Sequence, residues 1–393
     1  MKPRILFLNH AGVLSGAELS LLDIARYYAE TSQVVLFANG PFRERLEEAG
    51  IAVEVWPAPR EVREISREGN GMRDLRAVPG VFKLARRVAR VARDYDVLYA
   101  NSQKALVVGA LAGKFADKEM IWHLHDVLTA DHFGKGRRRL ALTLANRLVA
   151  RVIANSKASA AAFVEEGGRA ERVRVVYNGL DPAPFESVES TEVDALRKEL
   201  GLPEVPVVGV FGRLAPWKGQ HILFEALARL PGVHALLVGE ALFGEHAYAR
   251  TLREQAKTLG VATRAHFLGF RRDVPRLMRL SDVVVHTSIA SEPFGRVIVE
   301  GMLARRPVVA TRAGGVMEII EDGVSGALVP PGDAKVLTEV LAGLLANPTK
   351  ARALAEAGYS VALERFSPRA MLEGVAQQIE QVLEQQQHRA VRY

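Results

Sequence analysis

Short apolar runs alternate with longer stretches of helical periodicity along almost the whole chain. In the first half the strand-like runs fall at residues 5–9, 34–38, 53–56, 97–101, 121–125, 151–155 and 173–177. Helical spacing fills most of the gaps, as in Leu19, Leu22, Ile24 and Ala25. The second half repeats the theme, with runs at 207–211, 235–238, 266–268, 283–287, 308–311 and 327–329. Alternation of this kind predicts an α/β chain whose parallel sheets are covered by helices on both faces. A proline-rich, polar seam at 181–187 should end one domain, which gives two doubly wound, Rossmann-like domains. From Val336 onward the pattern is helical, and the glutamine-rich stretch 377–387 is expected to fray after Leu383. Ligands bind such sheets outside the carboxyl ends of their strands, so a cleft between two of them is the default site.

Composition narrows the classes. A chain of 393 residues suits two domains of about 150–200 residues each. With 49% hydrophobic and 25% charged residues it has the make-up of a packed chain, not a disordered one. There is no cysteine, which excludes a disulfide scaffold, thiol catalysis and cysteine-ligated metal, and suits a reducing cytoplasm. The apolar opening stops at Asn9-His10, too short for a signal peptide. No stretch approaches the roughly 18 apolar residues of a membrane span. A soluble chain, or one lying on a membrane without crossing it, is expected. The net charge of +7 favours anionic partners and leaves nucleotide diphosphates, anionic lipid and nucleic acid open.

The most informative segment is Ser288-Ile289-Ala290-Ser291-Glu292-Pro293-Phe294-Gly295-Arg296-Val297-Ile298-Val299-Glu300. A strand ends near Ser288, and Pro293 suits the first position of a helix, where its missing N–H costs nothing. Glu292 would then precede the helix and Glu300 would lie two turns inside it, an offset of roughly 12 Å at helical rise. Amides near Gly295, Arg296 and Val297 would form an anion site. Glu-x7-Glu alone is common by chance and suits a solvated helix; its setting gives it meaning. Gly212-Arg213-Leu214-Ala215-Pro216-Trp217-Lys218-Gly219 follows the first strand of the second half. Its two cations, five residues apart between glycines, can grip a diphosphate and stabilise charge growing on a leaving group.

In the first half, Gly12-Val13-Leu14-Ser15-Gly16-Ala17-Glu18 follows the opening strand; Ser15 and Gly16 permit close backbone approach to a phosphate or sugar, or simply make a tight turn. His123 and His125 share one strand face, and His125 ends the strand. His123, His125, Asp126, Asp131 and His132 fail a His-x-His-x-Asp-His metal pattern, because Val127 and Leu128 occupy the positions that pattern needs. Asp94-Tyr95-Asp96 reads as a helix-to-strand turn. The stretch 109–115 is one residue short of a P-loop and carries Phe115 in place of its Ser/Thr. Residues 60–93 hold ten Lys/Arg against four acids. Their helix could lie on anionic lipid or serve as a covering helix with a solvated face. Arg137-Arg138-Arg139 adds a second basic spot. Aromatic residues do not interleave with these cations, which argues against nucleic acid.

Together with Tyr177-Asn178-Gly179-Leu180-Asp181 and Thr311-Arg312-Ala313-Gly314-Gly315 before Glu318, these segments resemble the retaining glycosyltransferase family 4, which has the GT-B fold. The likeness is densest from Val207 to Asp333. It implies domains at 1–184 and 185–366, with a terminal helix at 367–388 packing back on the first. It implies that Glu300 binds the donor ribose, that Glu292 lies near the transferred sugar, and that Arg213 and Lys218 hold the diphosphate. Phe294, Gly295, Arg296 and Val297 would meet donor sugar and phosphate, and His125 would sit beside the sugar. The implied donor site also takes in Ser15, Gly16, Gly212, Gly239, Leu268 and Phe270. The expected activity is transfer, with retention and without metal or cofactor, from a nucleotide-diphosphate sugar, UDP favoured. The acceptor would be a glycan, a lipid-linked glycan or another carbohydrate, in the cytoplasm or at the edge of an anionic membrane. A sugar-nucleotide epimerase and a non-catalytic glycan or lipid-surface binder remain rivals at this stage.

Overall fold

The computed structural model describes residues 2–59, 71–130, 132–242 and 244–390. Residues 60–70 of the basic stretch and Asp131 lie outside the described residues. The chain divides into two compact units, Met1–Gly179 with Pro368–Tyr393, and Leu180–Ser367.

The first unit holds a seven-stranded parallel sheet of β1 (Ile5–Asn9), β2 (Ser32–Leu36), β3 (Ala52–Val55), β4 (Val97–Ala100), β5 (Met120–Leu124), β6 (Arg151–Ala154) and β7 (Val173–Val175). Their order is β3-β2-β1-β4-β5-β6-β7. The second unit holds β8 (Val207–Phe211), β9 (His234–Val238), β10 (Ala265–Gly269), β11 (Val283–His286), β12 (Val308–Thr311) and β13 (Ala327–Val329), ordered β10-β9-β8-β11-β12-β13. Every expected strand is present and every described pairing is parallel. The continuous apolar runs of inner strands such as β1, β4 and β8 follow from burial on both faces, while the edge strands β3 and β7 are partly exposed. Chain order reverses between β1 and β4, and again between β8 and β11, so each sheet has a crevice at its switch point.

The helix Gly71–Ala92 turns Ala85, Val88 and Ala92 into the core and leaves Lys83, Arg86 and Arg90 exposed. Its apolar stripe therefore covers the sheet, while Val78 and Phe82 remain outside it, with Phe82 close to the exposed Phe115. Residues 109–115 lie inside the helix Gln103–Ala116, which excludes a phosphate loop there.

Three boundaries differ from expectation. The first unit ends at Gly179, before the seam, because the seam folds into a short helix, Ala183–Glu186, that buries Phe185. Leu180 N–H also donates to Phe366 O at 2.9 Å, which ties the seam's start to the second unit. The return crossing falls after Ser367. The last helix, Pro368–Ala390, continues past Leu383 instead of fraying there. It inserts Met371, Val375, Ile379 and Val382 into the cluster around Ile5, Phe7, Leu21 and Tyr99, and this packing supports its length.

Candidate active site

In the second unit the sequence-predicted residues gather at the carboxyl ends of β8, β9, β10 and β11. Backbone bonds stitch these ends together: Gly212 N–H to Val238 O, Gly239 N–H to Gly269 O, and Leu214 N–H to Glu240 O, at 2.8, 2.8 and 3.0 Å. Gly212 and Gly239 thus shape the floor. Leu268 lies in β10, and Phe270 is exposed just beyond it, its N–H 3.3 Å from Glu240 Oε1.

Lys218 ends a single 3-10 turn, Pro216–Lys218, after which Gly219 turns left-handed with φ of 66°. A Cβ at Gly219 would lie 2.1 Å from Thr287 O, so no other residue fits. Thr287 Oγ1 donates to Lys218 O at 2.9 Å and Ile289 N–H to Trp217 O at 2.8 Å, which fastens the cationic loop to the end of β11.

Lys218 Nζ donates to Glu292 Oε1 at 2.7 Å, Ser288 Oγ donates to Oε2 at 2.9 Å, and His286 Nε2 lies 3.4 Å from Oε2. Burial works to raise the Glu292 pKa, but Lys218 and His286 outweigh it and hold the carboxyl well below the usual range. Glu292 is therefore a fixed anion. Its backbone is fixed as well: Gly315 N–H donates to Glu292 O at 2.8 Å, and Gly314 at φ of 62° lets that strand pass close.

The helix that follows begins at Arg296, three residues later than Pro293 would suggest, with Gly295 left-handed at φ of 107° as its cap. Phe294 is buried against Phe366, and that anchor delays the helix. Glu300 therefore sits about one turn inside, and helical rise does not measure the Glu292–Glu300 offset. The amides of Arg296 and Val297 are first-turn donors without an intrahelical acceptor. Arg296 Nε donates to Glu300 Oε1 at 2.9 Å, and Arg213 Nε lies 3.1 Å from Glu245 Oε2. Neither Arg213 nor Glu300 is as bare as the sequence suggests.

In the first unit, Ser15 occupies the N-cap position of the helix Gly16–Tyr27 without a side-chain capping bond, so these two residues open a helix rather than only making a tight turn. Ser15 Oγ donates to Glu18, whose other oxygen accepts from Asn9 Nδ2 at 3.1 Å. Burial raises the Glu18 pKa against these hydrogen bonds. Asn101, after β4, donates to Ala17 O at 3.1 Å and to Asn9 Oδ1 at 3.4 Å. Its Oδ1 lies 2.9 Å from His125 Nε2. Burial lowers the His125 pKa, so the ring is neutral at pH 7. Nε2–H then donates to Asn101, leaving Nδ1 as an acceptor for a hydroxyl. His123 lies against it, ring centroids 3.9 Å apart and planes tilted by 34°, and meets Tyr99 Oη at 2.8 Å.

Sequence reasoning passed over Asn9, Glu18, Asn101, His286 and Ser288. A signal existed: all but Glu18 are polar residues within two positions of a strand's carboxyl end, where a continuous apolar run breaks. Among the described residues no group of three or more His, Cys, Asp or Glu is placed to hold a metal ion.

Residues 192–361 match the family described as glycosyl transferases group 1, and residues 14–184 match glycosyltransferase family 4. The fold superposes on HepE of Anabaena, solved with UDP and glucose, at a TM-score of 0.89 with 44% identity, covering 96% of this chain and 99% of that one. The lipopolysaccharide core biosynthesis glycosyltransferase LpsE of Rhizobium meliloti is 32% identical over 54% of this chain and 59% of its own length. A D-inositol 3-phosphate glycosyltransferase of Mycolicibacterium smegmatis is 36% identical over 49% of this chain and 45% of its own. The chain thus spans about half the length of these two curated relatives. HepE, by contrast, is matched over almost its whole length and over both units of this chain. The chain belongs to glycosyltransferase family 4.

Proposed function

We propose that the chain transfers a sugar from a UDP-sugar to a carbohydrate or lipid-linked acceptor, with retention of anomeric configuration and without a metal or cofactor. One observation carries the reading: a mostly buried Lys218–Glu292 pair stands at the carboxyl ends of β8 and β11, and the helix Arg296–Leu303 opens four residues after Glu292. A diphosphate beside Lys218, Arg213 and the amides of Arg296 and Val297 would find positive charge already in place, and so would its growing charge as the bond breaks. These cations would do the work that a metal does elsewhere. Glu300 would accept from ribose hydroxyls, at the cost of its bond to Arg296.

In the reaction, the bond from the anomeric carbon to the phosphate oxygen breaks, and the electron pair leaves with UDP. The acceptor oxygen attacks from the same face, and the departing phosphate takes its proton. No side-chain base is assigned. Glu292 would bond sugar hydroxyls and steady positive charge on the ring, while neutral His125, on the first unit, keeps an acceptor nitrogen suited to a hydroxyl. The complex of HepE with UDP-glucose supports UDP as the nucleotide, at 44% identity over 96% of this chain. The exposed Val78 and Phe82 beside Lys83 and Arg86 support a peripheral contact with anionic lipid, where a lipid-linked acceptor would lie. A cytoplasmic location fits that reading.

Calorimetric titration with UDP-glucose, GDP-mannose and ADP-glucose tests it. UDP-glucose should bind, and Glu300→Ala should weaken binding by about 10-fold or more, as for a lost charge-assisted hydrogen bond pair. No affinity for any of the three would sink the reading.

A further inference from the structure

The helix Lys135–Leu148 is electrostatically frustrated. Its first turn carries Lys135, Arg137 and Arg138 and no acid, although cations are disfavoured at the positive end of a helix dipole. Lys135 and Arg139 stand four residues apart, a like-charge pair on one face that Thr143 and Arg147 continue. That face lines an open cavity of about 580 Å³, completed by Arg138, Glu166 and Arg169.

Hydrogen bonds and one ion pair frame the cavity. Arg138 Nε donates to Phe133 O at 3.1 Å, and its guanidinium pairs with Glu166. Asn146 Nδ2 donates to Gly167 O at 2.8 Å and Asn146 Oδ1 accepts from Arg169 N–H at 2.9 Å, which fixes the opposite lip. The remaining cations are uncompensated: among the described residues Lys135, Arg139, Arg147 and Arg169 have no carboxylate within ion-pairing distance. Among the described residues of the lining five cations face one carboxylate, an excess of four positive charges. Such a cluster repels itself and gains from a multiply charged anion.

We propose that this cavity binds the phosphate or diphosphate group of a ligand distinct from the sugar donor. Splayed guanidiniums match phosphate oxygens in pairs. Among the described residues no aromatic side chain lines the cavity, which disfavours stacking on nucleic-acid bases. Two sources share this chemistry: a soluble phosphorylated molecule, or a lipid headgroup at a membrane. Leu140, on the same helix, and Val164, on the helix Lys157–Glu165 that ends beside Glu166, are 49% and 38% exposed and would meet lipid only in the second case.

The test uses the full chain carrying Lys218→Met with Glu292→Gln, so that the second unit offers no Lys218 to phosphate. Inorganic pyrophosphate is titrated by calorimetry into this parent and into the same chain with Arg139→Glu and Arg147→Glu. Both added sites are exposed, and melting curves report that the fold is kept; Arg139→Gln with Arg147→Gln replaces them if it is not. Affinity should fall by at least about 10-fold, a loss of two charge-assisted contacts. In parallel, both chains are sedimented with vesicles of phosphatidylglycerol or of phosphatidylcholine. Retention on phosphatidylglycerol that the charge reversal abolishes assigns a headgroup; pyrophosphate binding without such retention assigns a soluble ligand. Equal behaviour of the two chains with both probes overturns the proposal. UDP-glucose binding, measured with Lys218 and Glu292 intact, should be unchanged by the reversal. Its absence would count against the donor reading and not against this cavity.

Discussion

At the scale of single residues, Lys218 and Glu292 have two roles that mutation can separate. Each is mostly buried, with side chains 17% and 10% exposed, so removing Lys218 leaves a desolvated carboxylate. Lys218→Ala should cost about 3–5 kcal/mol in urea unfolding, the usual penalty for breaking a buried pair. Lys218→Met with Glu292→Gln removes both charges and should recover most of that stability, while turnover stays at least about 100-fold down, as for a lost transition-state donor. Recovery of activity with stability would show that the pair is only structural. The buried histidines set the pH response. Burial first, then His125, lowers the His123 pKa well below the ordinary 6.5. The unfolded chain therefore binds a proton that the folded chain refuses. Stability from His123 is present above about pH 6.5 and is lost as pH falls below it, at up to about 1.4 kcal/mol per pH unit for each such group. Glu292 stays ionised throughout that window and adds no slope. Melting temperatures between pH 7.5 and 5.5 should fall less steeply for His123→Asn, which keeps a partner for Tyr99; parallel slopes would refute this account. The two glutamates and two cations of the second unit were legible as residue types at suggestive spacings. Their partners were not, because hydrogen bonds such as those of His286 and Ser288 to Glu292 depend on side-chain rotamers that no spacing encodes.

At the scale of elements, strands were legible and their junctions were not. A run such as Val207–Phe211 is buried along its whole length, and its sequence says so. The start of the helix Arg296–Leu303 was misplaced because Pro293 carries a general preference, whereas Phe294 docking on Phe366 is a tertiary contact that overrides it. Glycines mark the junctions that matter. Gly50 and Gly219 have similar positive φ values, 71° and 66°, but a Cβ at Gly50 meets nothing within 4 Å. Gly50→Ala should therefore cost only the strain of a left-handed alanine, about 1–2 kcal/mol. Gly219→Ala adds a collision with Thr287 O, and the loop must shift, carrying Lys218 with it. Its stability loss should exceed that of Gly50→Ala, and KM for the donor should rise in Gly219→Ala alone. Equal losses with an unchanged KM would mean that the loop absorbs the methyl group without moving Lys218.

At the scale of the molecule, the chain enters its second unit after Gly179 and leaves it after Ser367, and the last helix belongs to the first sheet. Local periodicity shows that this helix is amphipathic but not which core receives its apolar face; only the family likeness pointed to the first unit. Met371, Val375, Ile379 and Val382 are all at most 1% exposed. Burying four such side chains contributes on the order of 6–12 kcal/mol, as much as the whole stability of an ordinary domain. Truncation after Ser367 should therefore unfold the first unit rather than merely loosen it, because Leu21, Ile24 and Tyr28 lose the helix that packs with them. The second unit loses none of its own core. Amide hydrogen exchange should then show protection lost across β1, β4 and β6 and kept across β8, β11 and β12. If the donor reading is right, UDP-glucose should still raise the melting temperature of the surviving unit through binding linkage. Full protection of β1 in the truncated chain would show that the first sheet is sealed without its borrowed helix.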